Sequence, residues 1–348
     1  MKPTYSIIIP TLNQCALLKG CLEHLANLNF PRQKFEVLVV DSGSTDNTAQ
    51  CVASFQGRFA HLRFSTIDRQ SLMLGRHIGA QQAEGSVLCF LDDDSYVDSG
   101  WLSGVEKGIN LYHAALVGGP CLPGYIENPP GWVESLWQKA GTGRVHGYLS
   151  LLDMGDADRE ILPELIFGCN FTIIKKVFFE LGGTNPDYEP KAGILFEGDG
   201  ETGLARKARA KGYKGWYCAQ AKVMHQIPAI RFDIERFKRR AYFNGVGASY
   251  HNLRQAGGLA QKAAAPGLPV RFVRSLISRG RRLAHTVFNQ ESVEVRRIKL
   301  VLKQESQAGY QAHQAAFQQQ AELREWVLRE NYLGRNGELP LQRPDAMA

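Results

Sequence analysis

Three consecutive carboxylates, Asp92, Asp93 and Asp94, follow directly on the apolar run Val87-Leu88-Cys89-Phe90-Leu91. Crowded carboxylates raise one another's pKa unless a cation joins them, so the triplet reads as an oxygen-ligand site for a divalent metal. Magnesium or manganese suits it, because these ions are held by one or two carboxylates and complete their shell with water and substrate phosphates. The competing reading is a solvated Asp-rich turn. A second acidic cluster, Glu197-Gly198-Asp199-Gly200-Glu201, stands much further along, and His225 ends an apolar stretch beyond it.

The elements that must carry these groups follow from the apolar pattern. A short apolar run bounded by polar residues predicts a buried parallel strand, and open α/β sheets bind ligands at the carboxyl ends of such strands. The pattern predicts strands at 5–9, 35–40, 61–67 and 87–91, with helices over 17–25, 46–55 and 71–83 between them. A β-α-β-α-β-α-β order predicts a parallel sheet with right-handed crossovers, which brings Asp41 and Asp92 to Asp94 to one edge. Strand alternation would send Asp92 and Asp94 to one side and Asp93 to the other. No Gly-x-Gly-x-x-Gly follows the first strand and no Gly-x-x-x-x-Gly-Lys-Ser/Thr occurs, which removes the dinucleotide and P-loop fingerprints. After a helix at 99–110, residues 121–165 read as an irregular excursion, the signature of a lid or binding segment. A helix ending at 211–212 and one strand from 215 to 223, running on to His225, come next. From 231 onward the chain reads as helical and polar, apart from a linker at 257–269.

With 348 residues, 44% of them hydrophobic, the chain can bury one large core and carry an appendage. No run approaches the ~18 apolar residues of a membrane span, and the N-terminus enters a strand without an apolar leader, so a cytoplasmic location is expected. The seven cysteines contain no Cys-x-x-Cys pair and read as reduced, buried small hydrophobes. Between 266 and 303 nine basic residues face two acids, so this segment alone carries a charge equal to the whole chain's net +7. Within it, residues 270–288 interleave Phe272, Val273, Leu276 and Ile277 with arginines. That composition suits an amphipathic helix on an anionic membrane surface, or a helix packed on the body with its arginines in water. Residues 304–320, rich in Gln and Ala, could pair with another helix or make a homo-oligomer.

Taken together, Ser6-Ile7-Ile8-Ile9-Pro10-Thr11-Leu12-Asn13, Val40-Asp41-Ser42-Gly43-Ser44-Thr45-Asp46, Gly75-Arg76-His77-Ile78-Gly79 with Ala83-Glu84-Gly85, and Phe90 to Asp94 resemble glycosyltransferase family 2. Gly168-Cys169-Asn170 through Leu181-Gly182-Gly183, the second acidic cluster and His225 keep that family's order. The resemblance covers residues 1 to 245. It implies an α/β fold of GT-A type, a Rossmann-like, mostly parallel sheet flanked by helices. The domains expected are a catalytic domain at 1–230, divided into a nucleotide-sugar half (1–118) and an acceptor half (119–230), and a C-terminal helical extension at 231–348.

The resemblance further implies roles. Pro10, Thr11 and Asn13 would line the nucleotide, Asp41 would accept from the base, and Arg76 would face the nucleotide or diphosphate. Asp94 would bind Mn2+ or Mg2+ directly, Asp92 would touch the ribose or a metal-bound water, Asp93 fills the variable middle place, and His225 would be a further ligand. The donor would be a nucleotide-diphospho-sugar, with UDP favoured over GDP or dTDP, and the acceptor a saccharide or a lipid-linked one. The implied reaction is inverting transfer with a carboxylate as base. Asp199 is the first choice, but Gly198 stands where many relatives carry Glu, so Glu197 and Glu201 stay in contention. The Gln/Arg-x-x-Arg-Trp motif of processive synthases is replaced by Arg236-Phe237-Lys238-Arg239-Arg240, which predicts one sugar per encounter. A nucleotidyltransferase would need a Gly-rich basic loop after the first strand, and a nucleic-acid binder would leave both acidic clusters unexplained; no nucleic-acid partner is expected.

Overall fold

The computed structural model of the protein describes residues 2–189, 195–257 and 292–333. Strands β1 (Tyr5–Thr11), β2 (Phe35–Asp41), β3 (Leu62–Thr66) and β4 (Val87–Phe90) alternate with helices α1 (Cys15–Ala26), α2 (Thr48–Ser54) and α3 (Leu72–Gln82). The first two strands are buried throughout, as continuous apolar strands covered on both faces must be. Pairing is parallel from β4 through β1 and β2 to β3, and the register sets Thr11 beside Asp41 and Ile8 beside Phe90. The carboxyl ends of three strands therefore share one edge, as the spacing predicted.

Helix α3 lies unusually close to this sheet. A side chain at Gly79 would run into Ile8, and one at Gly75 would press on Pro10 at 3.0 Å. These two glycines face the strand, and Arg76 between them is carried toward the strand ends.

The sheet continues through β5 (Ser95–Val97), α4 (Trp101–Asn110), β6 (Leu116–Gly118), β7 (Cys121–Tyr125), α5 (Gly131–Glu134), β8 (Gln138–Ala140), β9 (Gly143–His146), β10 (Leu151–Asp153), β11 (Arg159–Ile161), β12 (Phe171–Ile174), α6 (Lys175–Glu180), α7 (Gly200–Ala210), β13 (Gly215–Tyr217) and β14 (Val223–Ile227), though not all of these join it. Eight strands form the main sheet in the order β11-β13-β6-β12-β4-β1-β2-β3, mixed because β12 and β11 run antiparallel to their neighbours. The other six form a second sheet, β5-β14-β7-β10-β9-β8.

That second sheet corrects two expectations. Residues 121–165 are not one irregular excursion but carry the short strands β7 to β11, joined by turns and helix α5; with three to five residues each, these strands are too short to print a period on the sequence. The single strand expected from 215 to His225 is two strands that belong to different sheets.

Helix α8 (Ile234–Gly257) packs along the helix Val293–Gln319, which is followed by a short helix, Ala321–Leu328. The two long helices touch through glycines: a side chain on Gly245 would meet the Ser306 carbonyl, and one on Gly309 the Tyr242 carbonyl. Ser249 Oγ and His313 Nδ1, 2.7 Å apart, form a buried polar contact between them. The Gln/Ala-rich stretch thus has its helix partner within the same chain. Tyr332 N–H donates to the Gly182 carbonyl at 3.0 Å, and Leu333 joins the core beneath the main sheet. The membrane-surface reading of 270–288 falls on residues outside those described. Among the described residues, no helix is long and apolar enough to cross a membrane.

Candidate active site

The acids do not alternate along a strand. β4 ends at Phe90, and the chain turns at Asp93 and Asp94 before β5 begins, so all three carboxylates line one cavity of about 870 Å3. The expected division, with Asp93 pointing away, fails because strand geometry stops two residues too early. Each acid has its own partner. Arg76 Nη2 donates to Asp92 Oδ1 at 2.8 Å, and Thr11 Oγ1 donates to Asp93 Oδ2 at 2.7 Å. Asp94 Oδ2 lies 3.0 Å from Arg231 Nη2 and 3.3 Å from His225 Nε2.

The meeting of Asp94 and His225 is built by the second sheet. Ser95, next to Asp94, opposes His225 across the β5–β14 ladder, and Gln226 N–H donates to the Asp94 carbonyl at 2.8 Å. His225 Nδ1 lies 3.0 Å from the Leu149 carbonyl, which directs Nε2 toward the carboxylate. Burial alone would lower the His225 pKa, but the Asp94 carboxylate overrides it and lifts the value to about 9. Burial would raise Asp94; His225 and Arg231 hold it below the usual carboxylate range instead. Asp93 has no cation in direct contact, and burial, reinforced by Asp94 and Asp92 and only partly opposed by Thr11 and the more distant Arg231, lifts its pKa to about 7.

Asp94 Oδ1 is buried with no hydrogen-bond partner. Among the described residues no three His, Cys, Asp or Glu side chains gather as a ready-made metal cage. A buried carboxylate oxygen left open beside an imidazole nevertheless fits Mn2+ or Mg2+, which take few protein ligands when substrate phosphates supply the rest.

Arg76, 2% exposed, bridges the two acidic clusters: Nη2 holds Asp92 and Nη1 lies 3.1 Å from Glu201 Oε2. Gly168 N–H donates to the other Glu201 oxygen at 3.3 Å, and a side chain at Gly168 would strike the guanidinium. Burial would raise the Glu201 pKa, but Arg76 holds it below the ordinary value.

Asp199, at the N-terminus of α7, borders the cavity, but its carboxylate is only 3% exposed. It accepts from Asn185 and lies 3.4 Å from Arg254 and 3.8 Å from Arg206. Glu197 lines the cavity 3.4 Å from Arg239, and burial together with Asp187 raises its pKa.

Two expected nucleotide contacts point elsewhere. Asp41 is occupied by Ser44, whose N–H and hydroxyl both donate to it, which is the capped-turn arrangement. Asn13, at φ 54°, accepts from Thr45 N–H at 2.8 Å and ties two loops together outside the cavity lining. Pro10 and Thr11 do line it. Sequence reasoning missed Arg231 as the partner of Asp94; the basic run that begins six residues after His225 was the available signal.

Residues 6–174 match the family model described as Glycosyl transferase family 2. The chain is 34% identical over 121 residues to glycosyltransferase AglE of Haloferax volcanii, covering 34% of this chain and 39% of that protein. It is 34% identical over 112 residues to the poly(ribitol-phosphate) beta-N-acetylglucosaminyltransferase TarS of Staphylococcus aureus, covering 32% of this chain and 19% of TarS. The chain therefore spans well under half the length of either relative. A solved structure, mannosyltransferase PcManGT from Pyrobaculum calidifontis with GDP-Man and Mn2+, aligns at a TM-score of 0.49 with 17% identity, over 94% of this chain and 84% of that one.

Proposed function

Since residues 6–174 belong to glycosyl transferase family 2, we propose that this chain transfers a sugar, with inversion, from a nucleotide-diphospho-sugar to an acceptor hydroxyl in glycan, polysaccharide or glycolipid assembly. The observation that carries the reading is the convergence of Asp92, Asp93, Asp94, His225 and Glu201 on one cavity, with Asp94 Oδ1 buried and open. Asp94 and His225 would hold Mn2+ or Mg2+. The bound ion would supply Lewis-acid stabilisation of the charge that grows on the leaving nucleoside diphosphate.

The chain's own groups do the remaining work. Pro10 and Thr11 line the nucleotide, and Asp92 receives the ribose side of the donor while Arg76 keeps it oriented. Asp93, with its pKa near 7, keeps one more full negative charge away from the diphosphate. Glu201 takes the proton of the attacking hydroxyl. It is ionised at neutral pH, lines the cavity, and is joined to Asp92 through a single guanidinium, whereas Asp199 is enclosed by Asn185, Arg206 and Arg254. A proton acceptor must lie within hydrogen-bond reach of the hydroxyl, and an enclosed carboxylate lacks that reach.

The donor is a UDP-sugar in preference to a GDP- or dTDP-sugar, the acceptor a saccharide or a lipid-linked one, and one sugar is added per encounter. Residues 1–230 act as the catalytic domain, with donor and acceptor halves meeting near 118, and residues from 231 extend it. The protein works in the cytoplasm, with the basic 266–303 segment touching the membrane surface. Calorimetric titration of common nucleotide-sugars with and without Mn2+ tests the core of this reading. Binding of one donor that requires the metal is expected; a chain that binds none of them in a metal-dependent way is not this enzyme.

A further inference from the structure

A second cavity, about 520 Å3, adjoins the first and shares Ser150, Glu197, His225, Arg231, Arg240 and Phe243 with it. Its wall carries four arginines, Arg231, Arg236, Arg239 and Arg240, against two acids, Glu197 and Glu235. Both acids are already committed: Glu235 pairs with Lys238 at 2.7 Å and Glu197 with Arg239 at 3.4 Å. Arg231 is committed to Asp94. Arg236 and Arg240 stand one turn apart on α8 and form no salt bridge among the described residues. Like charges at this spacing repel, and among the described residues the Glu197 and Glu201 carboxylates offset this through longer-range attraction to Arg240, without an ion pair. Tyr148, Phe237 and Phe243 line the same wall and lower the local polarity, which strengthens any charge pairing there.

We propose that Arg236 and Arg240 form a phosphate-binding subsite, so that the acceptor carries a phosphate group close to its reacting hydroxyl. This deepens the sugar-transfer reading and rests on it for the word acceptor. The guanidinium fork matches two phosphate oxygens at once, whereas a neutral saccharide would need neither charge. Because Arg240 borders both cavities, the phosphate would sit beside the reaction site. The same group can belong to a polyol phosphate or to a polyprenyl diphosphate.

The test uses the full chain without divalent metal and follows inorganic phosphate by calorimetry at low salt. Wild type should bind, the Arg236→Gln/Arg240→Gln pair should bind roughly tenfold more weakly, and Arg236→Lys/Arg240→Lys should recover part of the loss. Thermal melts of the three proteins check folding. Glycerol 3-phosphate and farnesyl diphosphate then compete separately; displacement by either supports the subsite and identifies the source of the phosphate. Equal affinity in wild type and the Gln pair, or displacement by neither competitor, overturns it. UDP binding with Mn2+ is measured on wild type in parallel, so failure of the donor site and failure of this subsite are read from different titrations.

Discussion

Replacing Arg76 with Met should reveal how the two acidic clusters depend on one another. The guanidinium is 2% exposed, and the two carboxylates it holds are 28% and 19% exposed. Methionine fills a similar space but leaves Asp92 and Glu201 with uncompensated charge. Removing one partner of a fully buried pair costs about 3–5 kcal/mol; the partial exposure of the acids puts this case near the lower end, about 3 kcal/mol.

The sign of the pH dependence separates this account from simple loss of packing. In the wild type Arg76 lowers the Glu201 pKa, so the stability it contributes is present above the unfolded value and is lost as pH falls through the folded one. In the variant, burial is opposed only by the Glu201 backbone, the Gly168 N–H and the more distant Arg240, so the value rises. The penalty then grows with pH, by about 1.4 kcal/mol for each unit separating the two folded pKa values. Urea denaturation of both proteins at pH 5 and pH 8 measures this, and a cycle with Glu201→Gln isolates the coupling. A loss under about 1 kcal/mol at pH 8, or one equal at both pH values, refutes the bridge as a stabilising charge pair.

Four other outcomes follow from the same geometry. Asp94→Asn should stay folded yet lose metal-dependent UDP binding in calorimetry, and unchanged binding would remove Asp94 from the site. Glu201→Gln should lower kcat by roughly a hundredfold or more, with Asp199→Asn acting mainly through thermal stability; the reverse pattern in steady-state kinetics would return the base to Asp199. Burial, reinforced by Lys207 and Arg76, holds His77 at about 3, so its contribution to stability is full above the unfolded pKa and declines as pH falls below it. The destabilisation of His77→Gln relative to wild type should therefore shrink by about 2 kcal/mol between pH 7 and pH 5 in urea melts, and a constant difference contradicts this. Gly245→Ala should cost about 2 kcal/mol or more by forcing a methyl against the Ser306 carbonyl, while Gly57→Ala, with nothing within 4 Å, should stay within about 0.5 kcal/mol.

The legible part of this chain is the part where pattern and burial coincide. β1, β2 and β4 are buried from end to end because both faces of the main sheet are covered, and the periodless apolar runs at 7–9, 37–40 and 87–90 within them stand out in the sequence. The acid triplet was found because it follows such a run. The second sheet left no comparable trace. β8 is mostly exposed, β9 and β10 are too short to establish an alternation, and their pairing is antiparallel over three residues in each ladder. His225 was visible as a residue, but its meeting with Asp94 depends on the β5–β14 register, which no local signal encodes.

The roles of the three acids turn on the same point. Strand alternation made Asp93 the idle member, and that inference holds only while the chain is extended. Once it turns after β4, each carboxylate meets whatever the neighbouring element offers: a guanidinium from α3 for Asp92, a hydroxyl from β1 for Asp93, and an imidazole from β14 for Asp94. A cation keeps a buried carboxylate ionised and a hydroxyl does so only weakly, so Asp93 is the acid whose proton is shared at neutral pH. Three acids at one strand end can coexist because two are matched by positive partners and the third need not be charged. Asp93→Asn should accordingly be the mildest of the three asparagine substitutions for stability, and the bond from Thr11 is the contact it would keep.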